Sequence, residues 1–353
     1  MIQPRKSVQK MKPYNPPLEG RRGLLRLDFN ENTVGPSKKV LKALKRASKE
    51  ELCAYPEYVE FKKKLAKYLQ MKPTELVLTN ATDEAIKLVV DTYMEPGDEI
   101  LIPVPTFPMF RFYAELAGAK INEVLLNKDL TFPTQKILNK INKKTKIVVL
   151  VNPNSPTGTE IPKEDIIKII KKAKNSIVLL DEAYSQFLKT SYKSLVRKYS
   201  NLIVIQTFSK AFGMGGLRLG YAISNETNAK NLLKASSPYS INTLAVIAGS
   251  AALDDIKNVD KYVKEIDKSR KWFLITLKRF LIKYYPTNAN FVLIDFKEQN
   301  KAIVKSLRKQ GVLVRDQSSK PLLENCTRIT IGTKKQMKRF MKAMDKYYES
   351  ISP

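Results

Sequence analysis

The run Thr207-Phe208-Ser209-Lys210-Ala211-Phe212-Gly213-Met214-Gly215-Gly216-Leu217-Arg218-Leu219-Gly220-Tyr221 sets one lysine between a hydroxyl-rich strand end and a glycine-rich turn, with an arginine eight residues on. A lysine amine can form a Schiff base with an aldehyde. Neighbouring hydroxyls and a guanidinium can hold a phosphate. The segment therefore reads as a covalent anchor for a phosphorylated aldehyde. The bland alternative is a basic helix start on a surface loop.

Working outward, short apolar runs alternate with amphipathic stretches from about residue 75. Leu76-Val77-Leu78 leads into a predicted helix over 82–93. The runs Glu99–Ile102 and Ile121–Val124 follow, then a helix near 134–141 and the apolar strand Lys146–Val151. A helix near 163–173, the strand Ile177–Leu180, a helix near 191–198 and the strand Leu202–Ile205 complete the series. Continuous Val/Ile/Leu runs separated by helices predict a mostly parallel sheet covered on both faces. Such sheets place ligands at the carboxyl ends of their strands. Beyond residue 240 the pattern changes to a charged helical region over 242–285, strands near 290–294, 312–314 and 327–331, and helices near 301–310 and 335–348. This predicts an α/β fold with a smaller α+β domain. The expected division is an arm over 1–34 that joins the small domain, a large domain over 35–245 and a small domain over 246–353.

Three further segments end predicted strands and carry chemistry. Thr79-Asn80-Ala81-Thr82-Asp83-Glu84 enters a helix, where backbone amides can meet an anion. Asp83 and Glu84 would repel a phosphate if they pointed at it, so the amides must do the binding; the alternative is an ordinary cap. Asn152-Pro153-Asn154-Ser155-Pro156-Thr157-Gly158 is a loop shaped by two prolines and a glycine, and its amide and hydroxyl groups can bond a ring hydroxyl. Asp181-Glu182-Ala183-Tyr184 places an acid after four apolar residues. A half-buried acid is costly unless paired, so a cationic ring nitrogen or a structural ion pair is expected. Together the segments supply an acid, a phenol, a lysine, an arginine and a phosphate cradle, which is what pyridoxal phosphate needs.

Composition narrows the alternatives. With 43% hydrophobic residues in 353, a sizeable core is possible and global disorder is excluded. The chain has two cysteines, Cys53 and Cys326, and no histidine. A Cys/His zinc site, a Ser-His-Asp triad and any histidine base are thereby excluded, and no metal is expected. Two distant cysteines fit a reducing compartment. The N-terminus has no apolar signal-peptide core, and no apolar run approaches the ~18 residues of a membrane span. A cytoplasmic protein without a membrane partner is expected. The formal charge of +29 admits three readings: a lysine-rich proteome, steering of an anionic substrate, or nucleic-acid binding. The lysines are spread over nearly every predicted helix rather than gathered in a stripe, so no nucleic-acid partner is expected.

The chain resembles the fold-type I pyridoxal-phosphate-dependent aminotransferases, among the class II enzymes the histidinol-phosphate aminotransferase branch. The resemblance rests on Pro13-Tyr14-Asn15-Pro16-Pro17, Leu27-Asp28-Phe29-Asn30-Glu31-Asn32 with Gly35-Pro36-Ser37, Tyr55-Pro56, Pro105-Thr106-Phe107, and the four segments above. It continues in Pro238-Tyr239-Ser240-Ile241-Asn242, Asn288-Ala289-Asn290-Phe291, Gly311–Asp316 and Arg328–Thr333. In this order and spacing the set is highly specific for fold and cofactor, and less so for substrate.

The resemblance implies roles. Lys210 would hold pyridoxal phosphate covalently and later move the substrate proton. Asp181 would keep the ring nitrogen protonated, Tyr184 would donate to the ring oxygen, and Phe107 would stack on the ring in place of the tyrosine more common in the branch. Thr207, Ser209, Arg218 and the amides of Thr82 and Asp83 would bind the cofactor phosphate. Tyr55 would reach the phosphate of a neighbouring subunit, making a homodimer with shared sites. Arg328, Arg315, Tyr14 and Asn30 would contact substrate. The family commonly has Asn just before Pro-Thr-Gly; here Ser155 stands there with Asn154 before it, and either can face the ring. The implied reaction is transamination of histidinol phosphate with 2-oxoglutarate, giving imidazole acetol phosphate and glutamate in histidine biosynthesis. The alternatives are an aromatic amino acid aminotransferase and a phospho-amino-acid decarboxylase of the same fold. A DNA-binding regulator of this fold would carry a further N-terminal domain, for which residues 1–34 are too few.

Overall fold

The computed structural model describes residues 2–351. Twelve strands form two sheets among these residues: β1 (Leu25–Leu27), β2 (Leu76–Thr79), β3 (Glu99–Val104), β4 (Lys120–Leu125), β5 (Thr145–Val151), β6 (Ile177–Asp181), β7 (Leu202–Thr207), β8 (Gly220–Ile223), β9 (Lys283–Tyr285), β10 (Phe291–Asp295), β11 (Val312–Asp316) and β12 (Cys326–Thr330). The larger sheet has the order β2-β8-β7-β6-β5-β3-β4. All its strands run parallel except β8, which pairs antiparallel with β2 and β7.

Why these runs are strands is visible in their burial. Ile147, Val149 and Val151 pack into one core with Ile177, Leu179, Ile203 and Ile205. The alternate residues Val148, Leu150, Val178, Leu180, Leu202 and Val204 pack into another. Side chains alternate across a strand, so unbroken apolar runs require helices on both faces. Helix Ala81–Tyr93 covers one face with Ala85, Ile86 and Val89, and helix Lys163–Lys172 covers the other with Ile166, Ile169 and Ile170.

The smaller sheet has the order β1-β11-β12-β10-β9. β1 pairs parallel with β11, so the N-terminal segment joins the sheet built from the C-terminal part. The second core of the large sheet is continuous with the small sheet through Phe291, Val292, Ile329 and Phe340.

Some expectations give way. The predicted helix near 191–198 is a 3-10 turn over Lys193–Arg197, because Glu182 captures Ser191 and the Tyr192 amide and holds the chain in a bend. The helical region over 242–285 divides into Thr243–Leu253 and Ile256–Arg279, then ends in strand β9. Asp254 and Asp255 fall at the break; short acidic side chains favour caps and turns over helix interiors. Periodicity did not register the helix Met109–Ala117 or the strand β8.

Candidate active site

β5, β6 and β7 are neighbours and parallel, so their carboxyl ends lie side by side. This brings together the loop Asn152–Gly158, Asp181 and the Lys210 segment. β2 runs in the same direction as β7, two antiparallel pairings away. The N-terminus of helix Ala81–Tyr93 therefore meets the same edge. Two joined chambers result, sharing Asp83, Phe107, Ser155, Tyr184 and Lys210.

The inner chamber is also lined by Thr82, Asp181, Thr207, Ser209 and Arg218. Thr207 and Ser209 hydroxyls are 2.9 Å apart, and Thr207 Oγ1 accepts from the Ser209 amide at 3.1 Å. Arg218 stands in the left-handed region with φ 56° and pairs with Asp83 at 2.7 Å. The Asp83 carboxylate is thus turned toward a guanidinium, and its repulsion of a phosphate is reduced. Gly220 allows this crowding, since a Cβ there would lie 2.7 Å from the Ala81 backbone. Gly213, at φ +73°, likewise lets the turn after Lys210 touch the backbone of Gly35.

Asp181 is buried, and among the described residues its Oδ1 accepts only from the Ala183 amide, at 2.8 Å. Burial pushes its carboxyl up to about 7, with Asp83 and Glu182 adding to the rise. An acid this far from water is most stable as an anion only beside a cation. Lys210 Nζ donates to the Phe29 carbonyl at 3.0 Å and lies 5.8 Å from the centre of the Tyr184 ring. Tyr184 Oη accepts from Asn30 Nδ2 at 2.9 Å, which leaves its own proton free to be donated. Phe107 is held edge-on against Phe110.

Asn154 and Ser155 of the Asn152–Gly158 loop are placed differently. Asn154 spends its amide on Pro105 O at 2.9 Å, Thr157 Oγ1 at 2.8 Å and Thr106 Oγ1 at 2.6 Å. It lines neither chamber. Ser155 lines both, and its Oγ accepts from Arg328 Nη1 at 2.9 Å.

The outer chamber has a volume of about 410 Å³ and is lined by Tyr14, Phe29, Arg315, Lys320 and Arg328, among others. Arg315 and Arg328 face each other in register across β11 and β12. Burial pushes the Arg328 guanidinium below its usual value, with Arg315 adding to the effect. Arg328 Nη2 donates to the Asp28 carbonyl at 2.6 Å, while its Nε is buried without a partner. The Arg315 guanidinium lies 5.5 Å from the centre of the Phe29 ring.

Besides Asn154, two expected residues stand outside the chambers. Asn30 is fully buried behind Tyr184, held by Thr330 and Asn290. Tyr55 is 75% exposed and stacks on Tyr239 at 4.4 Å. The sequence reading missed the Phe29 carbonyl that receives Lys210, and Lys320. A backbone carbonyl has no sequence signal, and Lys320 is one of 63 basic residues.

The inner chamber offers an anion cradle, an unpaired buried acid, an amine and an aromatic face. Those match a phosphate, a ring nitrogen, an aldehyde and a planar ring, so the residues present fit pyridoxal phosphate. Comparison with known proteins agrees. The family described as aminotransferase class I and II matches residues 22–344. A histidinol-phosphate aminotransferase of Symbiobacterium thermophilum is 35% identical over 353 residues, covering 96% of this chain and 97% of that protein. The crystal structure of the histidinol-phosphate aminotransferase from Clostridium acetobutylicum superposes with a TM-score of 0.86 at 28% identity, over 93% of this chain and 100% of that one. The Sinorhizobium meliloti histidinol-phosphate aminotransferase, solved in complex with pyridoxal-5'-phosphate, shares the fold with a TM-score of 0.89 at 24% identity, over 98% of each chain. With the α/β fold, the chamber and the relatives in agreement, the chain belongs to the aminotransferase class I and II family and is a pyridoxal-phosphate-dependent aminotransferase.

Proposed function

We propose that the enzyme transfers the amino group of histidinol phosphate to 2-oxoglutarate, in a homodimer whose sites are shared. The observation that carries this reading is the register of Arg315 opposite Arg328 at the outer chamber. One bidentate arginine suffices for a carboxylate. Two guanidiniums in one chamber suit a phosphate-bearing amine and a dicarboxylate that use the site in turn.

When bound, pyridoxal phosphate supplies the electron sink for the carbanion that forms at the donor carbon. Lys210 Nζ would hold the cofactor and would serve as the base that moves the donor's proton. Asp181 would keep the ring nitrogen protonated, a role supported by its burial at the chamber with a bond to the Ala183 amide. Tyr184 donates its hydroxyl proton to the ring oxygen while Asn30 orients it. Ser155 would face the ring oxygen, since Asn154 is occupied in the loop. Thr207, Ser209, Arg218 and the amides of Thr82 and Asp83 hold the phosphate, with Phe107 on the ring face. Arg328, Arg315 and Tyr14 hold the substrate. Tyr55, exposed and outside the chambers of its own chain, reaches the phosphate of a second copy.

Steady-state kinetics with histidinol phosphate, histidinol and phenylalanine as donors test the reading. The phosphorylated donor is expected to have the highest kcat/KM. Arg315→Ala should raise its KM far more than that of phenylalanine. A preference for phenylalanine or tyrosine would replace this reading with an aromatic amino acid aminotransferase.

A further inference from the structure

Besides Lys210, Arg315 and Arg328, the outer chamber is lined by a fourth basic residue. Lys320 follows β11 by four residues in the loop that leads back toward β12. Its side chain lines the chamber with Arg315 and Arg328, and its Nζ donates to the Thr106 carbonyl at 3.3 Å. Thr106 directly precedes Phe107, so this lysine reaches from the small-sheet side to the loop beside the cofactor chamber.

The carboxylates at or near the chamber already have partners. Asp28 pairs with Arg21 at 2.7 Å, and Asp83 with Arg218 at 2.7 Å. Asp316 accepts from Asn300 at 2.9 Å and from Ser318 at 3.0 Å. The basic groups of this chamber therefore outnumber its two carboxylates, Asp83 and Asp316, of which Asp83 is already paired with Arg218. Burial, then Arg328 and Arg315, push the Lys320 ammonium down to about 7. Such an arrangement is unfavourable when empty and is relieved by an anion, more so by a dianion than by a monoanion. A phosphate monoester carries close to two charges near neutral pH and presents three acceptor oxygens. Arg315 and Arg328 can each grip two of these acceptor sites in a fork, and a lysine adds a point charge with rotatable donors.

We propose that Lys320 is a third anion contact of the outer chamber and sets its preference for a phosphate monoester over an unphosphorylated donor. The proposal rests on the reading of histidinol phosphate as donor. It differs from a structural role, in which the bond to Thr106 merely tethers two loops.

The test compares wild-type holoenzyme with Lys320→Met and Lys320→Arg. kcat/KM is measured for histidinol phosphate and for histidinol, with 2-oxoglutarate as acceptor. A hydrogen bond to a charged group at this strength corresponds to about 10- to 100-fold in affinity. The ratio of kcat/KM for phosphorylated over unphosphorylated donor is expected to fall about tenfold or more in Lys320→Met, mainly through KM for the phosphorylated donor. Lys320→Arg, which keeps the charge, should restore most of it. A loop tether predicts that both donors suffer together, so an unchanged ratio overturns the proposal.

Calorimetric titration of the same three holoenzymes with inorganic phosphate gives a readout without turnover. Wild type should bind phosphate about tenfold or more tightly than Lys320→Met. If wild type shows no preference for the phosphorylated donor, the donor reading fails, and the phosphate titration alone decides Lys320. Equal phosphate affinity in wild type and Lys320→Met overturns the proposal.

Discussion

Replacing Asp181 with Asn should flatten the pH dependence of stability of the apoenzyme while crippling the loaded enzyme. The asparagine keeps the shape and can still accept from the Ala183 amide at the position Oδ1 now holds. What it removes is a titrating group. The Asp181 carboxyl rises from 3.8 to about 7 in the folded chain, chiefly through burial. A raised acid means that the folded state keeps a proton which the unfolded chain releases. Stability is therefore lost as pH rises from about 4 to about 7, and the loss levels off above that. For these two values the linkage relation gives a cost of about 2 kcal/mol at pH 5 and about 4 kcal/mol at pH 8. The wild-type apoenzyme should thus lose about 2–3 kcal/mol between pH 5 and pH 8 that Asp181→Asn does not lose. Urea unfolding of both apoproteins at matched protein concentration, at pH 5, 6, 7 and 8, measures the difference directly. Other titrating groups are common to both and drop out. Loading wild type with pyridoxal phosphate supplies the missing cation at the ring nitrogen, so its slope should approach that of the variant. Turnover of Asp181→Asn should fall by ~10²-fold or more, from a loss of roughly 3 kcal/mol. Parallel pH profiles for the two apoproteins would refute the claim that Asp181 sits unpaired in a site built for a cation.

Borohydride reduction of the loaded enzyme, followed by peptide mass mapping, should fix the cofactor on the peptide that holds Lys210, and on another lysine if the assignment is wrong. Gly220→Ala places a Cβ 2.7 Å from the Ala81 backbone; it should cost about 1–3 kcal/mol of stability by overpacking and weaken cofactor retention on dialysis. Mixing Tyr55→Ala with Lys210→Ala subunits should restore activity in heterodimers that carry one intact site. A fully active monomer in sedimentation would defeat the shared-site reading.

Much of the site was legible because its chemistry sits at strand ends. Apolar runs announce β5, β6 and β7, and functional groups follow each run: Asn152 onward and Asp181 directly, and Lys210 three residues past the end of β7. A parallel sheet then places those groups at one edge by topology alone. The substrate side was less legible. Arg315 and Arg328 could be named from resemblance, but that they oppose each other depends on the register of β11 on β12.

The sequence alone determined the fold class and the cofactor and named candidate residues for it, because burial periodicity and residue chemistry are local properties of the chain. Tertiary structure decided what local properties cannot encode. Which of Asn154 and Ser155 faces the cleft depends on three bonds that Asn154 makes to Pro105, Thr106 and Thr157, two of those partners far away in sequence. The antiparallel insertion of β8 between β2 and β7 depends on Gly220 passing close to the Ala81 backbone. Lys320 becomes a site residue only because a loop after β11 folds over Thr106, more than two hundred residues away in the chain. Long-range loop closure brings such groups together, and its outcome is set by the packing of the whole molecule and not by any one segment.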